Sequence, residues 1–166
     1  NSTPVRYAQL FDVFEDVKSF ANRGTSGIDG CVSTALGAAW ATQKNTLLLV
    51  GDLSFFYDAN AFWNRFSEKF LKVVLVNNSG GGIFRYLPGS SECEELEEFF
   101  AVKHQNTASW VQQRFGVGYR QVHDQEGLAA ALPEFFASTQ TEVLEVFTPI
   151  KDNAKMLRNY FSALKK

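Results

Sequence analysis

Two short apolar runs, residues 46–50 (TLLLV) and 71–76 (LKVVLV), each break off at a turn signal. Such runs suit parallel strands buried on both faces, because a strand with one wet face would alternate apolar and polar residues. Helical periodicity surrounds them. Tyr7, Leu10, Phe11, Phe14 and Val17 recur at three-and-four spacing and predict a helix over residues 5–18, with Pro4 in its first turn. A second helix is expected over residues 28–42, where Ala35, Gly37, Ala38 and Ala39 would let it lie close to a sheet or ligand. Asp58 is a candidate cap for a helix over residues 59–66. Further on, residues 118–122 and 142–147 read as strands. Between them Asp124 caps a helix carrying Leu128, Leu132, Phe135 and Phe136. A last helix from Asn153 carries Leu157, Tyr160, Phe161 and Leu164, and the acidic segment 88–105 reads as a loop or short helix. Repeated β-α alternation predicts an α/β fold, a doubly wound parallel sheet with helices on both faces.

The bulk properties narrow the function. At 166 residues the chain suits one domain, and 45% hydrophobic with 20% charged residues is the balance of a globular protein. Its 16 basic and 18 acidic residues are scattered, with no basic run to track a phosphate backbone, so nucleic acid is not an expected partner. No apolar run is long enough to span a bilayer, so no membrane partner is expected either. Residues 1–4 lack the basic and apolar regions of a secretory signal, and the only methionine is Met156. A chain processed, or cut from a larger one, is therefore expected, and we favour the second. Cys31 and Cys93 make no disulfide framework; Cys31 reads as a small core residue rather than a redox group. A cytoplasmic setting follows.

In a doubly wound sheet, ligands bind beyond the carboxyl ends of the strands, near the switch in strand order. Gly51-Asp52-Leu53-Ser54 follows the first run, and Asn77-Asn78-Ser79-Gly80-Gly81-Gly82-Ile83-Phe84 follows the second. Each alone reads equally well as an ordinary turn, helix cap or flexible loop. Together they hold what a diphosphate needs. Magnesium neutralises such a group and takes oxygen ligands at about 2.0–2.1 Å in octahedral geometry. Asp52, the Asn78 amide oxygen and a main-chain carbonyl would begin that shell, while the glycines let the backbone approach the phosphates.

Gly-Asp, a gap of this size, then Asn-Asn resembles the signature of thiamine-diphosphate enzymes, although many of them have Gly where this chain has Leu53. With NRGTSGIDG (residues 22–30) upstream and NNSGGGIF downstream, the chain is similar to the 2-succinyl-5-enolpyruvyl-6-hydroxy-3-cyclohexene-1-carboxylate synthases of menaquinone biosynthesis, over essentially its whole length. The resemblance implies the carboxyl-terminal, diphosphate-binding domain of a larger enzyme. Asp52 and Asn78 would then bind magnesium, or manganese in its place, with the Gly80 carbonyl. Ser26, Gly27, Gly51, Leu53 and Ser54 would line the cofactor, and Ile83 and Phe84 would close over it. Ile28 would wedge beneath the cofactor and bend it, where a plain reading makes it a core residue. The family condenses 2-oxoglutarate with isochorismate, which implies Arg6 and Arg23 as partners for substrate carboxylates, with Ser2 nearby. It also draws a glutamate from the amino-terminal pyrimidine-binding domain of a partner subunit, in a homodimer or homotetramer. The isolated chain is therefore expected to be inactive.

His104 and His123 show no metal spacing, and His123-Asp124 reads as surface capping. The aromatic set Phe55, Phe56, Tyr57, Phe62, Trp63, Phe66 and Phe70 reads as core or as a subunit contact, with the contact favoured. Two other readings stay open: another thiamine-diphosphate 2-oxo-acid enzyme of the acetolactate synthase or decarboxylase type, and a non-catalytic phosphate-binding module. The turn after the first run lacks the G-x-G-x-x-G of a nicotinamide site.

Overall fold

The two apolar runs are neighbouring parallel strands, β1 (Thr46–Gly51) and β2 (Leu71–Asn77), in register from Thr46 opposite Leu71 to Gly51 opposite Val76. The computed structural model describes residues 11, 15–22, 27–67 and 70–164. Two further strands, β3 (Gly118–Val122) and β4 (Glu142–Phe147), complete a four-stranded, wholly parallel sheet in the order β1-β2-β4-β3. All four strands lie where the sequence predicts them, β1 and β2 each running one residue further.

Side-chain alternation divides the core between the two faces. Leu71, Val73, Leu75 and Val143 point to one side, where they meet Val32, Leu36, Ala39, Phe55, Phe62 and Val111 from the helices. Those helices are α1 (Cys31–Thr42), α2 (Asp52–Asp58) and α3 (Trp110–Phe115), with Phe62 coming from the 3-10 helix at Ala59–Trp63. Leu144 and Val122 point to the other side, against Phe135 of α4 (Gln125–Ala137). Asp124 caps α4 as expected, its carboxylate accepting from the Gly127 N–H at 2.7 Å. The last helix, α5 (Asp152–Leu164), packs on a short 3-10 turn at Gly82–Arg85. Among the described residues, no helix is long and apolar enough to cross a membrane.

Several helix boundaries differ from expectation. Most of the helix expected over residues 5–18 lies outside the described residues. Its carboxyl end does not form: Glu15 and Asp16 make a turn, the chain beyond is irregular, and Val17 is exposed. An amphipathic stripe makes a stable helix only where it is buried. Helix α1 begins at Cys31 rather than at residue 28, because Gly30 takes a left-handed φ of 79° and turns the chain before Ile28 can join. Asp58 does not cap a following helix. It ends α2, which already begins at Asp52, and residues Ala59–Trp63 form a 3-10 helix. Its carboxylate instead accepts from the Ser33 N–H (2.7 Å) and hydroxyl (2.9 Å), in the first turn of α1. The aromatic set divides: Phe55 and Phe62 are core, while Tyr57 and Trp63 are exposed.

Candidate functional site

Parallel pairing of β1 and β2 brings their carboxyl ends side by side, which sets Asp52 against the loop that starts at Asn78. Asp52 stands in the first turn of α2 and not in a loop, and it is almost fully buried. Its Oδ1 accepts from the Leu53 N–H at 2.8 Å. Its Oδ2 accepts from the main-chain N–H of Asn78 at 3.2 Å and of Gly80 at 2.9 Å. A buried carboxylate needs donors of this kind to offset its lost hydration.

The two adjacent asparagines have different tasks. Asn77 is buried and braces the loop: its Oδ1 accepts from the Ser79 N–H at 2.9 Å, an Asx turn that folds the chain back. Its Nδ2 donates to Glu145 Oε1 at 2.7 Å and to the Asn106 carbonyl at 3.0 Å. Asn78 faces the site. One terminal atom of its amide lies 2.6 Å from the Gly80 carbonyl oxygen and 3.3 Å from Asp52 Oδ2. With nitrogen there, the amide donates to both. With oxygen there, three oxygens converge, and a bound cation is what would hold them together. Among the described residues no three His, Cys, Asp or Glu side chains gather as metal ligands. A cation here must therefore draw on amide and main-chain oxygens, the donor set of a hard ion.

Two glycines of the loop are sterically required. Gly80 has φ 142°, and a Cβ there would run into the Ala101 carbonyl oxygen. A Cβ on Gly82 would occupy the space of the Asn78 amide nitrogen. The segment pressing on Gly80 is the one the sequence left as loop or short helix. It forms a 3-10 turn at Ser90–Glu92 and one π-helical turn at Leu96–Phe100. Arg85, itself buried, pins it through paired 2.8 Å bonds to both carboxylate oxygens of Glu97. Those bonds raise the Arg85 pKa and lower that of Glu97.

A family model, thiamine pyrophosphate enzyme, C-terminal TPP binding domain, matches residues 2–146. The chain belongs to this family. As a TPP-binding domain, its cofactor is thiamine diphosphate. It is 46% identical over 164 residues to a 2-succinyl-5-enolpyruvyl-6-hydroxy-3-cyclohexene-1-carboxylate synthase of Flavobacterium psychrophilum, covering 99% of this chain and 30% of that protein. Synthases of the same name from Christiangramia forsetii and Bacteroides fragilis are 40% and 41% identical, each over 99% of this chain and 29% and 30% of their own length. The chain thus spans about 30% of the length of these curated relatives.

Within this TPP-binding domain the structure joins Asp52, Asn78 and Gly80 in one cluster. Gly51 ends β1 beside it, and Leu53 and Ser54 continue into α2. Ile28 is half-buried just ahead of α1, with its carbonyl 3.9 Å from the Cys31 thiol. Burial raises the Cys31 pKa, and α1 packs against α2, with the Ser33 N–H and hydroxyl donating to Asp58. Gly27 is exposed at the edge of the same stretch. Ile83 and Phe84 are half-buried, and the Phe84 ring packs 5.8 Å from that of Phe100. Ser2, Arg6, Arg23 and Ser26 lie outside the described residues. Sequence reasoning missed His104, whose Nε2 is 3.2 Å from Asp52 Oδ2. No spacing rule could find it, because that contact bridges 52 positions of chain.

Proposed function

We propose that this chain is the diphosphate- and cation-binding domain of a 2-succinyl-5-enolpyruvyl-6-hydroxy-3-cyclohexene-1-carboxylate synthase, a cytoplasmic thiamine-diphosphate-dependent transferase acting on 2-oxoglutarate and isochorismate. The convergence of Asp52, Asn78 and Gly80 at the ends of two adjacent parallel strands carries the reading. The 46% identity to the Flavobacterium psychrophilum synthase supports the choice within the family.

Asp52, the Asn78 amide oxygen and the Gly80 carbonyl would hold magnesium, with manganese as the alternative, to neutralise the diphosphate. Bound thiamine diphosphate supplies the electron sink that lets a 2-oxo acid lose carbon dioxide and hand on its remaining carbon unit. The chain's own residues bind and orient. The Asp52 carboxylate offsets cation charge, and the glycines admit the phosphates. Ile83 and Phe84 would shield the diphosphate from water, and Ile28 would support the cofactor. Gly51, Leu53, Ser54, Ser26 and Gly27 line the same pocket, while Arg6 and Arg23, with Ser2, take substrate carboxylates. A glutamate from the amino-terminal pyrimidine-binding domain of a partner subunit, in a homodimer or homotetramer, completes the centre, so the isolated chain does not turn over.

The intact protein carrying this chain should consume 2-oxoglutarate only together with isochorismate, releasing carbon dioxide. Turnover of pyruvate instead would point to an acetolactate synthase or decarboxylase type. Turnover of neither would favour a non-catalytic phosphate-binding module. In Asp52→Ala, calorimetry should find magnesium-dependent cofactor binding lost; unchanged affinity would overturn the metal assignment.

A further inference from the structure

His104 is fastened at both ring nitrogens. Nδ1 accepts the Asn106 N–H at 3.1 Å, and Nε2 lies 3.2 Å from Asp52 Oδ2. A neutral imidazole carries one proton, and a nitrogen that accepts a backbone N–H does not carry it. The proton is therefore on Nε2 and is donated to the Asp52 carboxylate. The ring is nearly buried, with Phe56 edge-on at 5.4 Å, and the His104 main-chain N–H donates to the Ser79 carbonyl at 3.3 Å.

The group that sets this tautomer is itself held. The Asn106 carbonyl accepts from Asn77 Nδ2, which also donates to the fully buried Glu145. Glu145 Oε2 accepts in addition from the Ala108 N–H at 2.9 Å and the Tyr119 hydroxyl at 2.6 Å. A buried carboxylate satisfied by several donors makes a rigid anchor.

We propose that His104 is a positioning residue for the cation site: held as the Nε2–H tautomer by Asn106, Asn77 and Glu145, it fixes the Asp52 carboxylate in the orientation that binds the metal. This rests on the reading of Asp52 as a metal ligand. With Nδ1 engaged and Nε2 protonated, the imidazole is no ligand itself, and the site stays all-oxygen. Partners of this kind, one bond removed from the metal, typically change its affinity by about 10- to 100-fold.

The test is manganese binding to the intact protein with thiamine diphosphate present, followed by the free-ion electron paramagnetic resonance signal. Glutamine can place an N–H near the Nε2 position, whereas asparagine is too short to reach Asp52. His104→Asn should weaken manganese binding by about 10-fold or more, and His104→Gln should recover most of it. Two results would overturn the proposal while leaving the metal reading intact, provided Asp52→Ala abolishes binding. One is wild-type affinity in His104→Asn; the other is His104→Gln as weak as His104→Asn. Wild-type affinity in Asp52→Ala would remove both. Should His104→Asn fail to fold, long-range nitrogen-15 spectra of the wild-type protein, assigned by the signal lost in His104→Gln, read the tautomer directly. A proton on Nδ1 would overturn the proposal.

Discussion

Tyr119 shows how far the site's support reaches. Burial, and then its bond to Glu145, pushes the phenol well above the ordinary tyrosine value of 10.0. Unfolded, the phenol ionises near that value; folded, it stays protonated. The folded state then binds more protons, so this stabilisation is fully present below pH 10.0 and is lost as pH rises towards the higher folded value. Tyr119→Phe should cost about 1.5–3 kcal/mol at neutral pH, the usual size of a hydrogen bond to a charged group. It should also flatten the alkaline decline, as urea unfolding from neutral pH upward would measure. Gly82 acts by absence. In Gly82→Ala the new methyl falls where the Asn78 amide nitrogen sits. The amide must swing away, so calorimetry should find metal-dependent cofactor binding weakened far more than thermal stability.

Among the elements, α1 depends on a residue outside itself. Gly30, at its amino end, has no side chain to accept the first N–H groups, and Asp58 at the end of α2 does so instead. The same contact ties α1 to the helix that begins at Asp52, so one carboxylate both caps and docks. Asp58→Ala should lower stability by about 0.5–2 kcal/mol, the range for losing a helix amino-terminal cap, measured by chemical unfolding. Ser33→Ala should cost less, because it removes the hydroxyl bond and leaves the main-chain N–H bonded. A second element, the segment from Ser90 to His104, is held over the glycine loop by Arg85–Glu97 and by the Gly81 N–H bond to the Ala101 carbonyl at 2.5 Å.

For the whole molecule, binding is coupled to stability. A ligand that binds only the folded state stabilises it by about 2.7 kcal/mol when present at a hundred times its dissociation constant. Thiamine diphosphate with magnesium should therefore raise the melting temperature of the intact protein. A chelator should reverse the rise in wild type and do nothing in Asp52→Ala. Much of this molecule was legible beforehand. Continuous apolar runs mark parallel strands, and a strand's carboxyl end needs a turn, so TLLLV and LKVVLV announced the sheet and the loops that hold Asp52 and Asn78. They did not announce that β1 would be the edge strand, with Leu47 exposed rather than buried. What local pattern cannot encode is which distant group satisfies a buried charge. Asp58 reached Ser33 rather than its own downstream turn, and the segment after Leu96 closed on Gly80. His104 meets Asp52 across 52 positions of chain. The apolar runs along the chain thus determined which segments become strands, because apolar content is a local property, while the order β1-β2-β4-β3 came from the tertiary structure. Tertiary structure alone decided the partners of Asp52, Asp58 and Glu145, because a buried carboxylate takes its donors from whatever the fold brings within about 3 Å.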